Sequence, residues 1–159
     1  MVTFEVAGRT KRDSELLSRL LARAGFLSGF HSQSFGGYAT ERNGASSAWY
    51  VRLEKEGAMS REIPEIPDFL MMLDSSAEAK PKKETIVIVN TSKPKKPGQI
   101  DAYSVSMESI KRQDAVPVML GAALKAFGKI PLKNAKTALE NEGRKDSYSA
   151  VEAGYKAMK

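Results

Sequence analysis

A glycine-rich segment at residues 34–46 is the part of the chain best suited to close contact with a partner. Gly36, Gly37 and Gly44 lack a side chain, so the backbone there can adopt positive φ angles and approach another molecule closely. The same segment carries the charged neighbours Glu41 and Arg42. Because binding residues concentrate in loops held by a rigid scaffold, this loop is a candidate interface or site. A long hairpin connection is the alternative interpretation.

Polar side chains also follow two apolar runs. Asn90 and Ser92 come directly after the run at residues 85–89, and Asp74 ends the run at residues 69–74. Asn90 and Ser92 can hydrogen-bond the amide or phosphate groups of a cofactor, or they can stabilise a local turn. For Asp74 the favoured role is to cap a following helix.

The chain lacks the residue sets that nucleophilic or metal-assisted catalysis needs. It contains no cysteine, which excludes disulfides and iron–sulfur clusters ligated by thiolates of this chain. Its single histidine, His31, has no evident acid or nucleophile beside it, so we predict that it is not a general base. No pair of carboxylates has a spacing that indicates acid–base chemistry. We expect this polypeptide to catalyse nothing by itself and to bind no metal.

The chain is basic, with 25 lysines and arginines against 19 acidic residues and a net charge of +6. Its densest lysine runs, at residues 80–83 and 93–97, contain proline and lack interleaved aromatic residues, which disfavours nucleic-acid binding. A site for an anionic cofactor, or a dock for an acidic partner subunit, explains the charge equally well. No apolar run is long enough to span a bilayer, and the first residues do not form a signal peptide. We therefore expect a cytoplasmic protein that binds no membrane.

Alternating strands and helices must position these candidate residues. Apolar patterns predict strands at residues 2–7, 26–34, 49–53, 69–74, 85–89 and 100–104. Helices are predicted at residues 13–24, 76–80, 107–112, 118–127, 132–142 and 147–158. Asp13 is the expected cap of the first helix, and Gly25 its expected end.

This order of elements predicts one α/β domain over residues 1–159, with a mostly parallel central sheet flanked by helices. Ligands of such sheets bind beyond the carboxyl ends of the strands. Here that edge is expected to consist of residues 8–13, 74–76 and 90–92.

Several motifs occur in an order that is informative even though none is specific alone. They are Ser34-x-Gly36 with Arg42-x-Gly44, Pro67-Asp68 before a strand ending in Asp74, Asn90-Thr-Ser92, Val118-Met-Leu-Gly-Ala122 and Ala150-Val-Glu-Ala-Gly-Tyr155. The series resembles the gamma subunit, or gamma domain, of the 2-oxoacid:ferredoxin oxidoreductases, which include pyruvate, 2-oxoglutarate, ketoisovalerate and indolepyruvate enzymes. The sharpest fragments are Met119-Leu-Gly121 and Glu41-Arg-Asn-Gly44, and the resemblance covers nearly the whole chain.

The resemblance implies a complex that oxidatively decarboxylates a 2-oxoacid to an acyl-coenzyme A and passes electrons to ferredoxin. It implies alpha, beta and delta subunits as partners, with thiamine diphosphate and the iron–sulfur clusters held by those partners. It implies that the gamma chain closes over the site and helps to bind coenzyme A. For this chain, Gly36, Glu41, Arg42 and Gly44 are then expected at a subunit interface or site loop.

The first loop departs from the family pattern. Where the family usually carries Gly-x-Gly-Gly-Gln-Gly, this chain reads Gly8-Arg-Thr-Lys-Arg-Asp13, and only Gly8 survives. Phosphate binding by close backbone approach needs glycines, so that mode is weakened. Arg9, Lys11 and Arg12 can replace it with side-chain charge, and together with Gly8, Asn90 and Ser92 they form the expected coenzyme A set. Loss of the cofactor contact, leaving a structural subunit, is the alternative.

Two hypotheses about function therefore stay open at this point. The first is a non-catalytic gamma subunit that acts as scaffold, lid and coenzyme A clamp. The second is a stand-alone α/β module that binds a nucleotide or a nucleic acid, with an affinity for polyanions that depends steeply on salt.

Overall fold

A computed structural model of the chain describes residues 1–37, 47–57, 60–75, 79 and 81–159. The six strands are β1 (Val2–Gly8), β2 (His31–Gly36), β3 (Ser47–Glu54), β4 (Phe69–Met72), β5 (Ile86–Asn90) and β6 (Gln99–Ile100). The five α-helices of this part of the chain are α1 (Lys11–Leu27), α2 (Ala102–Ile110), α3 (Ala115–Phe127), α4 (Leu132–Asn141) and α5 (Tyr148–Ala157). None of these helices is long and apolar enough to cross a bilayer.

The strands form one sheet in the order β2-β3-β1-β4-β5-β6. β1, β4, β5 and β6 pair in parallel, whereas β3 is antiparallel to both of its neighbours, β1 and β2. Within this sheet β3 is therefore the strand that runs against the other five. The prediction of an α/β domain with a mostly parallel sheet is confirmed.

The two faces of the sheet differ in what covers them. Phe4 and Val6 of β1 belong to a large hydrophobic core to which all five helices contribute. Ala7, which points to the opposite face, belongs with Leu70 to a small cluster that contains no residue of a described helix. The described helices therefore pack on one face, where burial of apolar side chains drives the association of helix and sheet.

The predicted start and end of the first helix are wrong. Thr10, not Asp13, is the N-cap, because its side chain accepts a hydrogen bond from the Asp13 backbone N–H. Gly25 lies inside α1, where an added Cβ would come within 2.5 Å of Leu53 Cδ2. This glycine therefore allows α1 to pack closely on β3, and the chain reverses instead at Gly29, which has a φ of 86°.

Other boundaries also differ from the predictions. Residues 26 and 27 belong to α1 rather than to a strand, and residues 102–104 begin α2 rather than ending β6. Asp101 explains the second error, because its carboxylate accepts a hydrogen bond from Ser104 N–H and so starts a helix where an apolar pattern suggested a strand. β5 is only partly buried, with Ile86 48% exposed. The predicted helix at residues 76–80 falls largely outside the described residues.

Helices α3 and α5 pack against each other through two glycines. A Cβ added to Gly121 would collide with the Val151 carbonyl oxygen and lie 2.7 Å from Tyr155 N. A Cβ added to Gly154 would collide with the carbonyl group of Val118, with its carbon 2.8 Å away. The two backbones are therefore in direct contact, and both glycines belong to motifs that the sequence singled out.

Glu5 and Tyr50 are paired across β1 and β3, on the sheet face opposite the described helices. Burial raises the pKa of the Glu5 carboxyl, and burial together with the charge of Glu5 raises the pKa of Tyr50 to about 12. A raised pKa means that the folded state holds the proton more tightly than the unfolded state. The stability that Glu5 contributes is therefore present at low pH and is lost as the pH rises through its folded pKa.

We accordingly expect Glu5→Gln to raise the thermal unfolding midpoint at about pH 7, where the native carboxylate is ionised against its burial. At about pH 4 the gain should shrink, because the Glu5 carboxyl is then substantially protonated in both the folded and the unfolded protein. Calorimetry of the two proteins at the two pH values measures the difference. An equal gain at both values would mean that ionisation of Glu5 does not affect stability.

Candidate functional site

The loops that follow β1 and β4 meet at the carboxyl edge of the sheet. Arg9 N donates a hydrogen bond of 2.9 Å to Asp74 Oδ2, and Arg9 Nε lies 3.4 Å from Asp74 Oδ1. Asp74 therefore bridges two loops through its carboxylate. Beside this bridge is a concavity of about 240 Å³, whose lining includes Gly8, Thr10 and Tyr103.

A larger concavity of about 650 Å³ continues from the first, since both are lined by Asp13, Tyr103 and Ala115. We call the two together the edge cleft. The amino-terminal ends of α1 and α3 both border it, through Asp13 and Ala115. The peptide dipoles of these helices add positive potential at their amino-terminal ends. The cleft thus lies where the topology predicts a ligand.

Most arginines around the edge cleft are neutralised by acidic neighbours. Arg112 donates to Asp146 at 2.6 Å and also to Ser147 Oγ at 2.6 Å. The hydrogen bond from Arg112 is the main reason that the pKa of the Asp146 carboxyl is lowered. Arg144 lies 3.2 Å from Asp114, the N-cap residue of α3. These ion pairs hold together the cleft wall formed by the ends of α2, α3 and α5. The charges of Arg112 and Arg144 are thereby used within the protein rather than offered to a ligand.

An arginine next to α4 is also paired with an acidic residue, because Arg19 of α1 donates two hydrogen bonds to Glu142, of 2.8 and 3.0 Å. Lys11 and Arg12, in the first turn of α1, are exposed and form no ion pair with the part of the chain that the structure describes. Both line a third concavity, of about 570 Å³, that shares Arg12 with the edge cleft. Of the predicted basic trio, Arg9 is thus engaged by Asp74, while Lys11 and Arg12 remain available to an anion.

Gly8 is needed for packing inside the domain. A Cβ at this position would lie 2.8 Å from Ser14 Oγ and 3.2 Å from the Leu73 side chain. The missing side chain thus lets the end of β1 fit between α1 and the end of β4. Gly8 does border the edge cleft, but the close approach that it permits is to its own chain.

Asn90 and Ser92 do not lie together in the edge cleft. Asn90 is 4% exposed, and its amide donates to Leu73 O while its carbonyl oxygen accepts from Ala102 N–H, both at 2.9 Å. It therefore joins the end of β4 to the start of α2. Ser92 is exposed in the turn after β5 and is absent from the described lining of the cleft.

The glycine-rich segment is only partly described. Gly36 is the last residue of β2, opposite Trp49, and neither Gly36 nor Gly37 has a positive φ. These two glycines thus do not use the positive φ angles that glycine permits, and Gly37 packs near the Tyr50 ring. Glu41, Arg42 and Gly44 lie outside the described residues.

Three residues of the cleft were missed by the sequence reasoning, namely Tyr103, Arg112 and Arg144. Tyr103 is 45% exposed and lines both parts of the cleft. The sequence did hold one signal for this wall, because Asp114 followed by Ala-Val-Pro117 is a typical helix start. Nothing in the local sequence indicated that Arg112 and Arg144 converge there, since they come together only through tertiary packing.

The fold and the cleft define a class, that of α/β domains with a cleft at the carboxyl edge of the sheet and, in the part described, exposed basic side chains at its rim. The sequence model for the family described as pyruvate ferredoxin/flavodoxin oxidoreductase matches residues 14–159. The chain therefore belongs to this family. One curated relative is the common gamma subunit of the pyruvate and ketoisovalerate oxidoreductases of Pyrococcus abyssi, 29% identical over 177 residues, with 96% of this chain and 95% of the relative covered.

Solved structures share the fold. A pyruvate oxidoreductase subunit from Thermotoga maritima superposes with a TM-score of 0.77 at 24% identity, covering 99% of this chain and 97% of that one. A 2-oxoglutarate:ferredoxin oxidoreductase from Magnetococcus marinus, solved with 2-oxoglutarate, coenzyme A and succinyl-CoA, matches with a TM-score of 0.62 at 18% identity. That match covers 98% of this chain but 30% of the longer one. The comparisons do not support a stand-alone nucleotide- or nucleic-acid-binding module.

Proposed function

We propose that this chain is the gamma subunit of a complex that oxidatively decarboxylates a 2-oxoacid to an acyl-coenzyme A and reduces ferredoxin. The observation that carries the proposal is the family match over residues 14–159, supported by gamma-subunit relatives of nearly the same length. The alpha, beta and delta partners hold thiamine diphosphate and the iron–sulfur clusters. A chain without cysteine supplies no thiolates for a cluster, which agrees with this division of roles.

Within that complex the edge cleft contributes to the binding of coenzyme A. Arg12 at the rim of the cleft and Lys11 in the adjoining concavity suit its phosphates, because both are exposed, form no ion pair with the described residues and stand at the amino-terminal end of a 17-residue helix. The half-exposed Tyr103 ring offers a flat apolar surface for the adenine base. The combined cleft also has the size of pockets that hold cofactors. When bound, coenzyme A supplies the thiol that accepts the acyl group.

The remaining predicted residues have supporting roles in this proposal. Arg9 orients the β1–α1 loop through Asp74. Asn90 holds α2, and with it Tyr103, against the end of β4. Gly36, Glu41, Arg42 and Gly44 belong to a loop that contacts another subunit, and a contribution of Ser92 to the cofactor stays a prediction.

The first test is co-purification. Tagged at one end and expressed with its genomic neighbours, the chain should bring down thiamine diphosphate- and cluster-bearing subunits in fixed ratio. Purified alone, it should show no turnover that depends on thiamine diphosphate or ferredoxin. Independent turnover by the isolated chain would overturn the proposed division of roles.

The second test concerns the anion site. In the assembled complex, Lys11→Gln/Arg12→Gln should weaken coenzyme A binding by about tenfold, because two charge-assisted phosphate contacts are removed. Isothermal titration with coenzyme A measures the change. The matched control is Lys55→Gln/Lys133→Gln, which removes two exposed positive charges away from the cleft. Equal affinities for the two double variants would place coenzyme A binding elsewhere.

A further inference from the structure

The second lysine-rich run of the sequence forms a separate basic concavity that the proposed coenzyme A site does not use. It has a volume of about 320 Å³. Its described lining comprises Pro94, Lys95, Lys96 and Pro97 of the β5–β6 connection, Gln99 at the start of β6, Ala157 at the end of α5, and Lys159. We call this concavity the lysine cradle.

The cradle has a defined shape because its loop is held by hydrogen bonds. The backbone N–H groups of Lys95 and Lys96 both donate to Gln99 Oε1, at 2.8 and 3.2 Å. Gly98 has a φ of 82°, and a Cβ there would collide with the Val87 carbonyl oxygen, so the loop packs directly on β5. Two prolines further limit its backbone freedom. The lysines are therefore presented by an ordered surface, which lowers the entropy lost on binding.

Among the described residues, no acidic side chain pairs with the lysines of the cradle. No acidic side chain occurs among its described lining residues, whereas the edge cleft contains four arginine-neutralising carboxylates. Lys95, Lys96 and Lys159 are exposed, as are the flanking Lys93 and Lys156. None of the five forms an ion pair with the described part of the chain. Such a group of like charges invites an anionic partner.

The cradle is also remote from the edge cleft. α5 begins next to Asp146 and Ser147, which belong to the cleft wall, and ends at Ala157, which lines the cradle. Ten helical residues correspond to about 15 Å. The two basic sites therefore stand at opposite ends of one helix, and one small ligand does not occupy both.

We propose that the lysine cradle docks an acidic segment of another subunit of the complex, an inference that rests on the proposed gamma-subunit role. Lysine ammonium groups act as point charges that pair with single carboxylates. The described lining has neither the aromatic rings that stack on bases nor the arginines that grip phosphates in two places. A concavity of this size admits one or two acidic side chains rather than a length of nucleic acid. An acidic protein segment is therefore the occupant that fits.

The test uses the assembled complex and a zero-length carbodiimide, which joins a lysine amine to a carboxylate in direct contact. Mass spectrometry should find Lys95, Lys96 or Lys159 linked to an Asp or Glu of another subunit. Raising the ionic strength from about 50 mM to about 500 mM should reduce these links severalfold, because the charges are exposed to screening. Lys95→Glu/Lys96→Glu should weaken subunit association at about 50 mM salt by about tenfold, whereas Lys55→Glu/Lys133→Glu should leave it unchanged.

Each outcome decides the proposal. Cross-links elsewhere in the complex with none at the cradle, or equal association of the two charge-reversed variants, would overturn it. Cradle-dependent retention of single-stranded DNA or of phosphatidylserine vesicles by the complex, without cross-links to a subunit, would overturn it in favour of that polyanion. If the chain purifies with no companion subunit at all, the gamma-subunit role fails as well, and the two failures are thereby distinguished.

Discussion

Gly121→Ala and Gly154→Ala are each expected to lower the free energy of unfolding by about 1–3 kcal/mol, because the cost of overpacking at a rigid backbone contact exceeds the gain in helix propensity. At both positions the new methyl group would overlap a backbone carbonyl of the facing helix, and no side-chain rotation relieves the overlap. α3 and α5 must therefore separate, which opens gaps in a core where Leu120, Leu124 and Val151 are fully buried. Thermal and urea denaturation measure the change.

The matched control is Gly36→Ala. A methyl there would make ordinary contacts of 3.4–3.6 Å with the Trp49 ring, and the backbone has no positive φ. Its unfolding free energy should change by less than about 1 kcal/mol. The double variant Gly121→Ala/Gly154→Ala should cost less than the sum of the two single changes, since helices already forced apart accept the second methyl more easily. Strict additivity, or a near-zero effect of either single change, would refute the close helix contact.

Asn90→Leu is expected to destabilise the domain by about 2–4 kcal/mol, because two buried backbone groups lose their partners. Leucine matches asparagine in branching but can neither donate to Leu73 O nor accept from Ala102 N–H. Both bonds lie in the buried interior, where water does not replace them. The loss should also free the start of α2, which hydrogen exchange at residues 102–105 would report.

The comparison with Ser92→Ala separates stability from ligand binding at the end of β5. Ser92 is exposed, so its removal should change the unfolding free energy by less than about 0.5 kcal/mol. If Asn90 acts by holding α2, the residual coenzyme A affinity of folded Asn90→Leu complex should fall along with the order of α2. A stable Asn90→Leu protein that has lost coenzyme A binding would instead indicate direct contact between Asn90 and the ligand.

The sequence predicted the fold correctly wherever a residue pattern was compatible with only one type of secondary structure. Residues 2–7 alternate, residues 86–89 form an apolar run after Thr85, and Gly128 follows an apolar helix, and each of these features appears in the structure within a residue or two. The predicted starts of two helices were wrong, because in each case a single capping hydrogen bond determines where the helix begins. Thr10 and Asp101 cap helices that the apolar pattern alone placed two or more residues further along the chain.

The candidate site was harder to predict, because its charges are sorted by tertiary contacts. Arg9, Lys11 and Arg12 look alike in the sequence, yet Asp74, sixty-five residues from Arg9, engages only the first of them. The sequence suggested that Asn90 binds the cofactor, because its short amide offers both a hydrogen-bond donor and an acceptor. The same two groups allow it to join β4 to α2 inside the protein. The apolar pattern placed Tyr103 in a strand over residues 100–104, whereas Tyr103 lies in the first turn of α2 and borders the cleft there.

The close packing of α3 on α5 at Gly121 and Gly154 also bears on how the domain can move. α3 begins at the wall of the edge cleft and α5 ends at the lysine cradle, and because their backbones are in direct contact we expect the two helices to move together as one rigid unit. A displacement of α5 by a subunit docked at the cradle should therefore also shift Asp114, the N-cap residue of α3. We expect changes in the width of the edge cleft to arise mainly at its other side, where the β1–α1 loop is held through Arg9 and Asp74.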